Sequence, residues 1–127
     1  MTTIKRQALI LFAHGARDPR WAEPLIRVRQ LVGQRVDPSV QTHIAYLELM
    51  SPSLRELVDK LVSEQINSMT IIPIFLGQGG HVRHDLPELI SQLKSEHAGV
   101  EFHLVEAIGE NEQVLSSIAG VCVASLK

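Results

Sequence analysis

The chain has a single cysteine, Cys122, and few aromatic residues: one tryptophan, one tyrosine and three phenylalanines. A lone thiol excludes an internal disulfide, so the fold must be held by its apolar core, and this composition suits a reducing cytoplasm. An excess of charge of one sign is also missing, since 12 Lys and Arg stand against 14 Asp and Glu for a formal net charge of −2. No global basic field recruits nucleic acid or a membrane, and any anion binding must be local. No apolar run approaches the roughly 18 to 20 residues needed to span a bilayer. The segment Met1 to Gln7 carries Lys5 and Arg6 ahead of an apolar run ending at Ala13, which is too short for the hydrophobic region and cleavage site of a signal peptide. The expectation is a cytoplasmic protein. The sequence also shows no linker, internal repeat or low-complexity tract.

What is present is 45% apolar side chains in 127 residues, enough for one domain over 1–127 with one ordinary core. Ala8-Leu9-Ile10-Leu11-Phe12-Ala13 is a continuous apolar run, as expected for a strand covered on both faces. Asp18-Pro19 supplies a cap and a first-turn proline, and Trp21, Leu25, Val28, Val32 and Val36 recur at helical spacing as far as Asp37-Pro38, predicting one long helix. Thr42 to Leu47 alternates and reads as an edge strand, and Ser51-Pro52 opens a helix carrying Leu54, Leu57, Val58, Leu61 and Val62. Met69 to Phe75 is a third strand, with Pro73 near its end where a lost donor is tolerable. A helix with Leu86, Leu89, Ile90 and Leu93 follows, with Asp85 as its expected cap and Glu88 three residues on. Val100 to Val105 is a fourth strand. Val114, Leu115, Ile118, Val121 and Cys122 mark a last helix in which the thiol is expected to be core. This βαβαβαβα pattern predicts an α/β fold with a flavodoxin-like parallel sheet in the order 2-1-3-4 and right-handed crossovers.

In that order strands one and three are neighbours, and the crevice between their diverging connections lies at the strand ends that carry His14 and His81. Either histidine alone reads as a hydrogen-bonded loop residue. Together with Glu48, which follows strand two at the same edge, they offer two nitrogens and one oxygen, a borderline donor set suited to Co, Fe, Ni or Zn with positions left open for a substrate. The two imidazoles are expected to approach closely enough to share one ion. Gly77, Gly79 and Gly80 do not make a phosphate cradle: a dinucleotide fingerprint needs glycine where Val82 stands, and a Walker loop needs an absent Lys-Ser/Thr pair. Gly79 and Gly80 are expected instead to let a bulky, flat ligand lie against the backbone. His-Gly after a first strand also occurs in histidine phosphatases, but Ala13 stands where their arginine would hold the phosphoryl group. Arg17, Arg20 and Arg83, placed in the two loops flanking the crevice, suit a polycarboxylate ligand, although each alone reads as a solvated charge. Asp18 reads as a cap. His43, His97 and His103 read as structural, and His84 faces the crevice or begins a solvated helix.

The run Leu11-Phe12-Ala13-His14-Gly15-Ala16-Arg17-Asp18-Pro19, Glu48, and the run from Pro73 to Pro87 containing Gly79-Gly80-His81-Val82-Arg83 resemble the small sirohydrochlorin chelatases of the CbiX and SirB type. The resemblance spans nearly the whole chain. It implies insertion of Co²⁺, or of Fe²⁺ or Ni²⁺, into sirohydrochlorin or a close relative on the way to cobalamin or sirohaem, with no cofactor beyond the metal substrate. It also implies that the family's metal-binding histidines fall on His14 and His81, that its active-site glutamate falls on Glu48, and that a half-length chain pairs as a homodimer. Two departures stand out. Gly109-Glu110-Asn111 lacks the histidine and proline many relatives carry after strand four, and no His-rich or Cys-rich tail provides for an iron–sulfur cluster. A cobalt, nickel or tetrapyrrole carrier without turnover, using the same histidines, is the alternative.

Overall fold

The computed structural model describes residues 4–127, so the first three residues of the segment weighed as a leader lie outside it. Four strands, β1 (Gln7–Ala13), β2 (Gln41–Tyr46), β3 (Ser68–Pro73) and β4 (Glu101–Leu104), form one parallel sheet in the order β2-β1-β3-β4, as expected. The uninterrupted apolar run of β1 follows from its place in the middle. Ala8, Ile10 and Phe12 face one layer, and Leu11 and Ala13 face the other.

The helices are α1 (Glu23–Arg35), α2 (Leu54–Ser63), α3 (Gly80–Glu96) and α4 (Glu112–Ala124). Most of the core lies between the sheet and α2 and α3, where Leu57, Val58, Leu61, Leu86, Ile90 and Leu93 meet Ile10, Met69, Ile71 and Phe102. The other layer is thinner. There Ala22 and Leu25 pack on Leu11, Ala13, Ile44 and Tyr46.

Several boundaries differ from the sequence expectation, each for a local reason. Asp18 does cap, but it caps a 3₁₀ turn over Pro19–Ala22, its carboxylate accepting from Arg20 N–H. A continuous helix would need Pro24 to donate to the carbonyl of Arg20, which a proline cannot do and its ring obstructs, so α1 starts afresh at Glu23. Ser51-Pro52 does not open α2. Ser53 does, through a capping box in which Ser53 Oγ accepts from Glu56 N–H and the Glu56 carboxylate accepts from Ser53 N–H. Asp85 is not a cap either, because α3 begins five residues earlier, after Gly79, and carries Pro87 in its interior. An interior proline costs about 3 kcal/mol, and the apolar stripe Val82, Leu86, Leu89, Ile90 and Leu93 offsets it by packing on the core.

The last correction concerns Cys122, which is exposed. No residue of α4 is buried. Its apolar side chains therefore have no core to join within the chain.

His43, half-buried on edge strand β2, is held below the ordinary imidazole value mainly by burial, then by the charges of Arg29 and Lys60, with Glu64 opposing. A ring that resists protonation when folded takes up a proton on unfolding, so its contribution to stability is lost as pH falls from about 6.5 toward the lower folded value. A His43→Gln chain, which keeps a hydrogen-bonding partner for Gln41, is expected to lose less stability than wild type between pH 7.5 and 5. Thermal denaturation across that range checks this, and a difference between the two chains that does not change with pH would refute it.

Candidate functional site

The parallel pairing of β1 with β2 runs to Ala13 opposite Tyr46, so the residues that leave the two strands emerge side by side. Leu47 N–H donates to the Ala13 carbonyl at 2.8 Å, and Ile74 N–H donates to the Phe12 carbonyl at 2.7 Å. These bonds tie the backbone leading into His14 to the segments that leave β2 and β3. The His14 carbonyl in turn accepts from the indole N–H of Trp21 at 3.3 Å, and the ring lies edge-on to Phe75 with centroids 4.7 Å apart.

His14 Nδ1 lies 3.0 Å from Glu48 Oε1, and Gly15 N–H donates to Glu48 Oε2 at 3.4 Å. A carboxylate only accepts, so this bond puts the imidazole proton on Nδ1 and leaves the Nε2 lone pair for a ligand. Both side chains are near half exposure, 46% for His14 and 44% for Glu48, as a site open to an entering ion requires. The apposition depends on Gly15. A Cβ there would lie 1.9 Å from the Glu48 carbonyl oxygen, so glycine is what lets the two loops touch.

His81 stands at the same edge but apart from this pair. It occupies the first turn of α3, its side chain is 99% exposed, and its nearest charged neighbour is Asp85, 3.7 Å away. The donor atoms of His14, Glu48 and His81 do not all come within 4.8 Å of one another. Among the described residues, Asp59–Glu96–His97 and His84–Asp85–Glu88 do so. The first set clamps the end of α3 to α2, with Asp59 3.1 Å from His97 and Glu96 held by Arg55. In the second, His84 pairs with Glu88 one turn along an exposed helix face, which places His84 in a solvated helix rather than the crevice.

The arginines are less uniform than the sequence implied. Arg20 is committed to Asp18 at 2.7 Å, and its guanidinium holds that carboxyl below the ordinary aspartate value. Arg83 lies on α3 rather than in a loop, 3.4 Å from Glu110. Arg17 is exposed in the loop after β1. Gly79 and Gly80 are exposed, and a Cβ at either would meet nothing, so neither is demanded by backbone geometry. Gly109 is: a Cβ there would come within 1.7 Å of the Leu76 carbonyl oxygen, fixing the chain after β4 against the loop after β3.

Beside His14 lies a cavity of about 220 Å³ between α1 and β3, lined by Ala13, Trp21, Pro24, Leu25, Val28 and Ile74. Its walls are apolar except for the imidazole. A larger cavity of about 600 Å³ follows edge strand β2, between Ile26, Arg29 and Lys60, and contains none of the site histidines. Phe75, which packs on the His14 ring, and Trp21, which donates to the His14 carbonyl, were read from sequence only as strand and helix residues. The one sequence signal for Trp21 was that it is the sole tryptophan of the chain; in the structure it is 59% exposed and lines the cavity beside His14.

A parallel sheet ordered 2-1-3-4, with an imidazole–carboxylate pair and an apolar cavity at its carboxyl edge, defines an open α/β protein, a class whose ligand sites lie at the strand ends. The family model described as CbiX matches residues 8–120, and the chain belongs to the CbiX family. It is 34% identical to a putative cobalamin biosynthesis CbiX protein from Marinobacter aquaeolei VT8, whose crystal structure superposes with a TM-score of 0.80 over 93% of this chain and 95% of that one. The sirohydrochlorin cobaltochelatase of Sulfurisphaera tokodaii is 24% identical over 84% of this chain and 82% of its own length. The sirohydrochlorin ferrochelatase of Bacillus subtilis is 24% identical over 89% of this chain, which spans only 43% of that protein.

Proposed function

We propose that this chain is a metal chelatase that inserts Co²⁺, with Fe²⁺ or Ni²⁺ as alternative substrates, into sirohydrochlorin or a closely related tetrapyrrole for cobalamin or sirohaem synthesis. The observation that carries this reading is the His14–Glu48 pair, which aims an imidazole lone pair outward beside an apolar cavity. The chelatase names of the relatives support it.

Insertion removes two pyrrole N–H protons as the ion enters. His14 Nε2 and His81 hold the ion with few ligands, so it can be released, and each imidazole freed by that release can accept a proton. Glu48 keeps the His14 ring in the required tautomer and stabilises it when protonated. A site of four tight protein ligands would retain the metal. Trp21 and the apolar wall of the cavity suit one face of a flat macrocycle, Gly79 and Gly80 leave its edge unobstructed, and Arg17, joined by Arg20 and Arg83 when they exchange Asp18 and Glu110 for the ligand, answers its carboxylates. His81, exposed in the first turn of α3, is the second ligand in this reading. In this reading the protein works as a cytoplasmic homodimer, with neither nucleic acid nor membrane as a partner; among the described residues no helix is long and apolar enough to cross a bilayer.

Catalytic amounts of the protein mixed with sirohydrochlorin and each of Co²⁺, Fe²⁺ and Ni²⁺ are expected to convert the visible spectrum to that of the metallated product over many turnovers. A spectral change that stops at one equivalent per chain would replace the enzyme with the carrier.

A further inference from the structure

Two glycines of this chain admit no side chain because another segment's backbone lies against them, and each presses on a loop that carries an exposed leucine. A Cβ on Gly15 would meet the Glu48 carbonyl oxygen and Met50 N, the atoms on either side of Leu49. A Cβ on Gly109 would meet the carbonyl group and Cα of Leu76. Leu49 is 62% exposed and Leu76 is 68% exposed. Leu49 directly follows Glu48 in the loop after β2, and Leu76 directly follows Phe75 in the loop after β3. Because β1 lies between those strands, the two loops flank His14 at the carboxyl edge of the sheet.

Leu49 is held there against its own preference. Met50 N–H donates to the Glu48 carbonyl across it at 2.8 Å, and its φ of 65° makes this the positive-φ form of the γ-turn, which is rare and strained. The other positive-φ residue that is not glycine, Gln65, closes α2 in the ordinary way, with Ile66 N–H on the Leu61 carbonyl. Leu49 ends no helix. An exposed leucine gains little from folding, and at this φ it costs stability, so the fold alone would favour glycine or asparagine here. Residues kept in such conformations by their neighbours cluster at ligand sites. The loop of Leu76 is pinned by other means: Gly109 N–H donates to the Phe75 carbonyl at 2.9 Å, which sets the turn after β4 against it.

We infer that Leu49 and Leu76 are substrate contacts, two apolar jaws that grip the tetrapyrrole ring from the β2 side and the β3 side of His14. The inference rests on the chelatase reading and adds to it the residues that recognise the body of the ring. Neither leucine lines the cavity that holds Trp21, so they touch a different part of the macrocycle. The arginines recognise only its charged periphery. Ion pairs on exposed, flexible side chains are weak and screened by salt, whereas burying the exposed surface of a leucine whose backbone is already fixed adds affinity with little further ordering.

The test sets stability against binding. A Leu49→Asn chain, whose new side chain tolerates the positive φ, is expected to melt no lower than wild type and up to about 4 °C higher. Its Kd for metal-free sirohydrochlorin, read by quenching of the sole tryptophan, Trp21, is expected to rise about 10-fold, and by the same ratio at low and high salt. A Leu76→Ser chain is expected to show a similar rise at unchanged Tm. In both, KM is expected to follow Kd while kcat stays within about threefold of wild type, because the contact is made before the transition state and kept in it. Leu49→Met, which retains the strain and the apolar contact, is expected to bind as wild type does. Ile4→Ser, at an exposed residue ahead of β1 on the opposite edge of the sheet, is expected to change nothing. A Leu49→Asn chain that is less stable yet binds as tightly as wild type would assign the γ-turn to the fold and overturn the inference. So would a loss confined to kcat, because Leu49 would then act only by holding Glu48, or a Kd unchanged in both variants. The chelatase reading fails differently. Metallation that stops at one equivalent, with the leucine dependence of Kd intact, removes turnover and leaves the jaws standing, whereas a wild-type chain that binds no sirohydrochlorin removes both.

Discussion

A His14→Ala chain is expected to fold normally and to insert metal at least about 100-fold more slowly, with kcat carrying most of the loss. The fold is expected to survive because the ring is near half exposure and its contacts are the edge of Phe75 and the carboxylate of Glu48. Losing them should cost about 1 kcal/mol or less of stability. The chemistry is not expected to survive, because Nε2 is the one lone pair that Glu48 holds in a fixed direction beside the cavity. A Glu48→Gln chain should retain more activity, since the amide oxygen can still accept from Nδ1 although the negative charge is gone. A loss of about 10- to 100-fold is expected there, in line with other groups that orient a ligating histidine. Single-turnover metallation followed by visible absorption, with denaturation midpoints measured in parallel, separates the two. Near wild-type turnover by the His14→Ala chain, with activity abolished only in a His81→Ala chain, would transfer the central role to α3.

The strand order was readable because both faces of β1 are buried, which forces a run of apolar residues with no alternation, and the edge position of β2 was readable because its pattern does alternate. From the order alone, His14 and Glu48 had to be neighbours: β1 and β2 pair in parallel up to Ala13 and Tyr46, and the next residues cannot separate far. What escaped depended on contacts between distant segments. The start of α3 was placed at Asp85 because Asp-Leu-Pro imitates a helix entry, although Val82, four residues before Leu86, already belonged to the apolar stripe. Cys122 was placed in the core because an apolar helix normally finds one; whether it does so in its own chain is not encoded in its periodicity. Attention to Gly77, Gly79 and Gly80 fell on glycines that meet nothing, whereas Gly15 and Gly109, which have no distinctive local pattern, are the ones pressed against another segment's backbone.

That difference among glycines gives the other large expected effect. A Gly15→Ala chain should lose about 3 kcal/mol or more of stability, beyond the usual 1–3 kcal/mol of overpacking. The new methyl would lie 1.9 Å from the Glu48 carbonyl oxygen and 3.1 Å from Met50 N, backbone atoms with no rotamer to relieve the clash. Nor can the loop readily yield. Met50 N–H donates to the Glu48 carbonyl at 2.8 Å, and Leu49 between them is held at a φ of 65°, a left-handed conformation that a leucine adopts only where its neighbours enforce it. If the loop moves, the Glu48 carboxylate leaves His14, so insertion should slow in the same variant. Two controls separate the causes. Gly109→Ala places a methyl 1.7 Å from the Leu76 carbonyl oxygen, an equal steric insult away from the His14–Glu48 pair, and should cost comparable stability with a smaller loss of kcat. Gly33→Ala, in the open on α1, should be neutral or stabilise by up to about 1 kcal/mol, because the methyl meets nothing and alanine favours the helix. For a chain of this length 3 kcal/mol corresponds to a fall of about 10 °C in Tm, well within reach of calorimetry. Metallation rates are to be compared at a temperature where all four chains are folded. If the Gly15→Ala chain is destabilised yet inserts metal as fast as the Gly109→Ala chain, the contact between the two loops serves the fold alone, and Glu48 has no part in positioning His14.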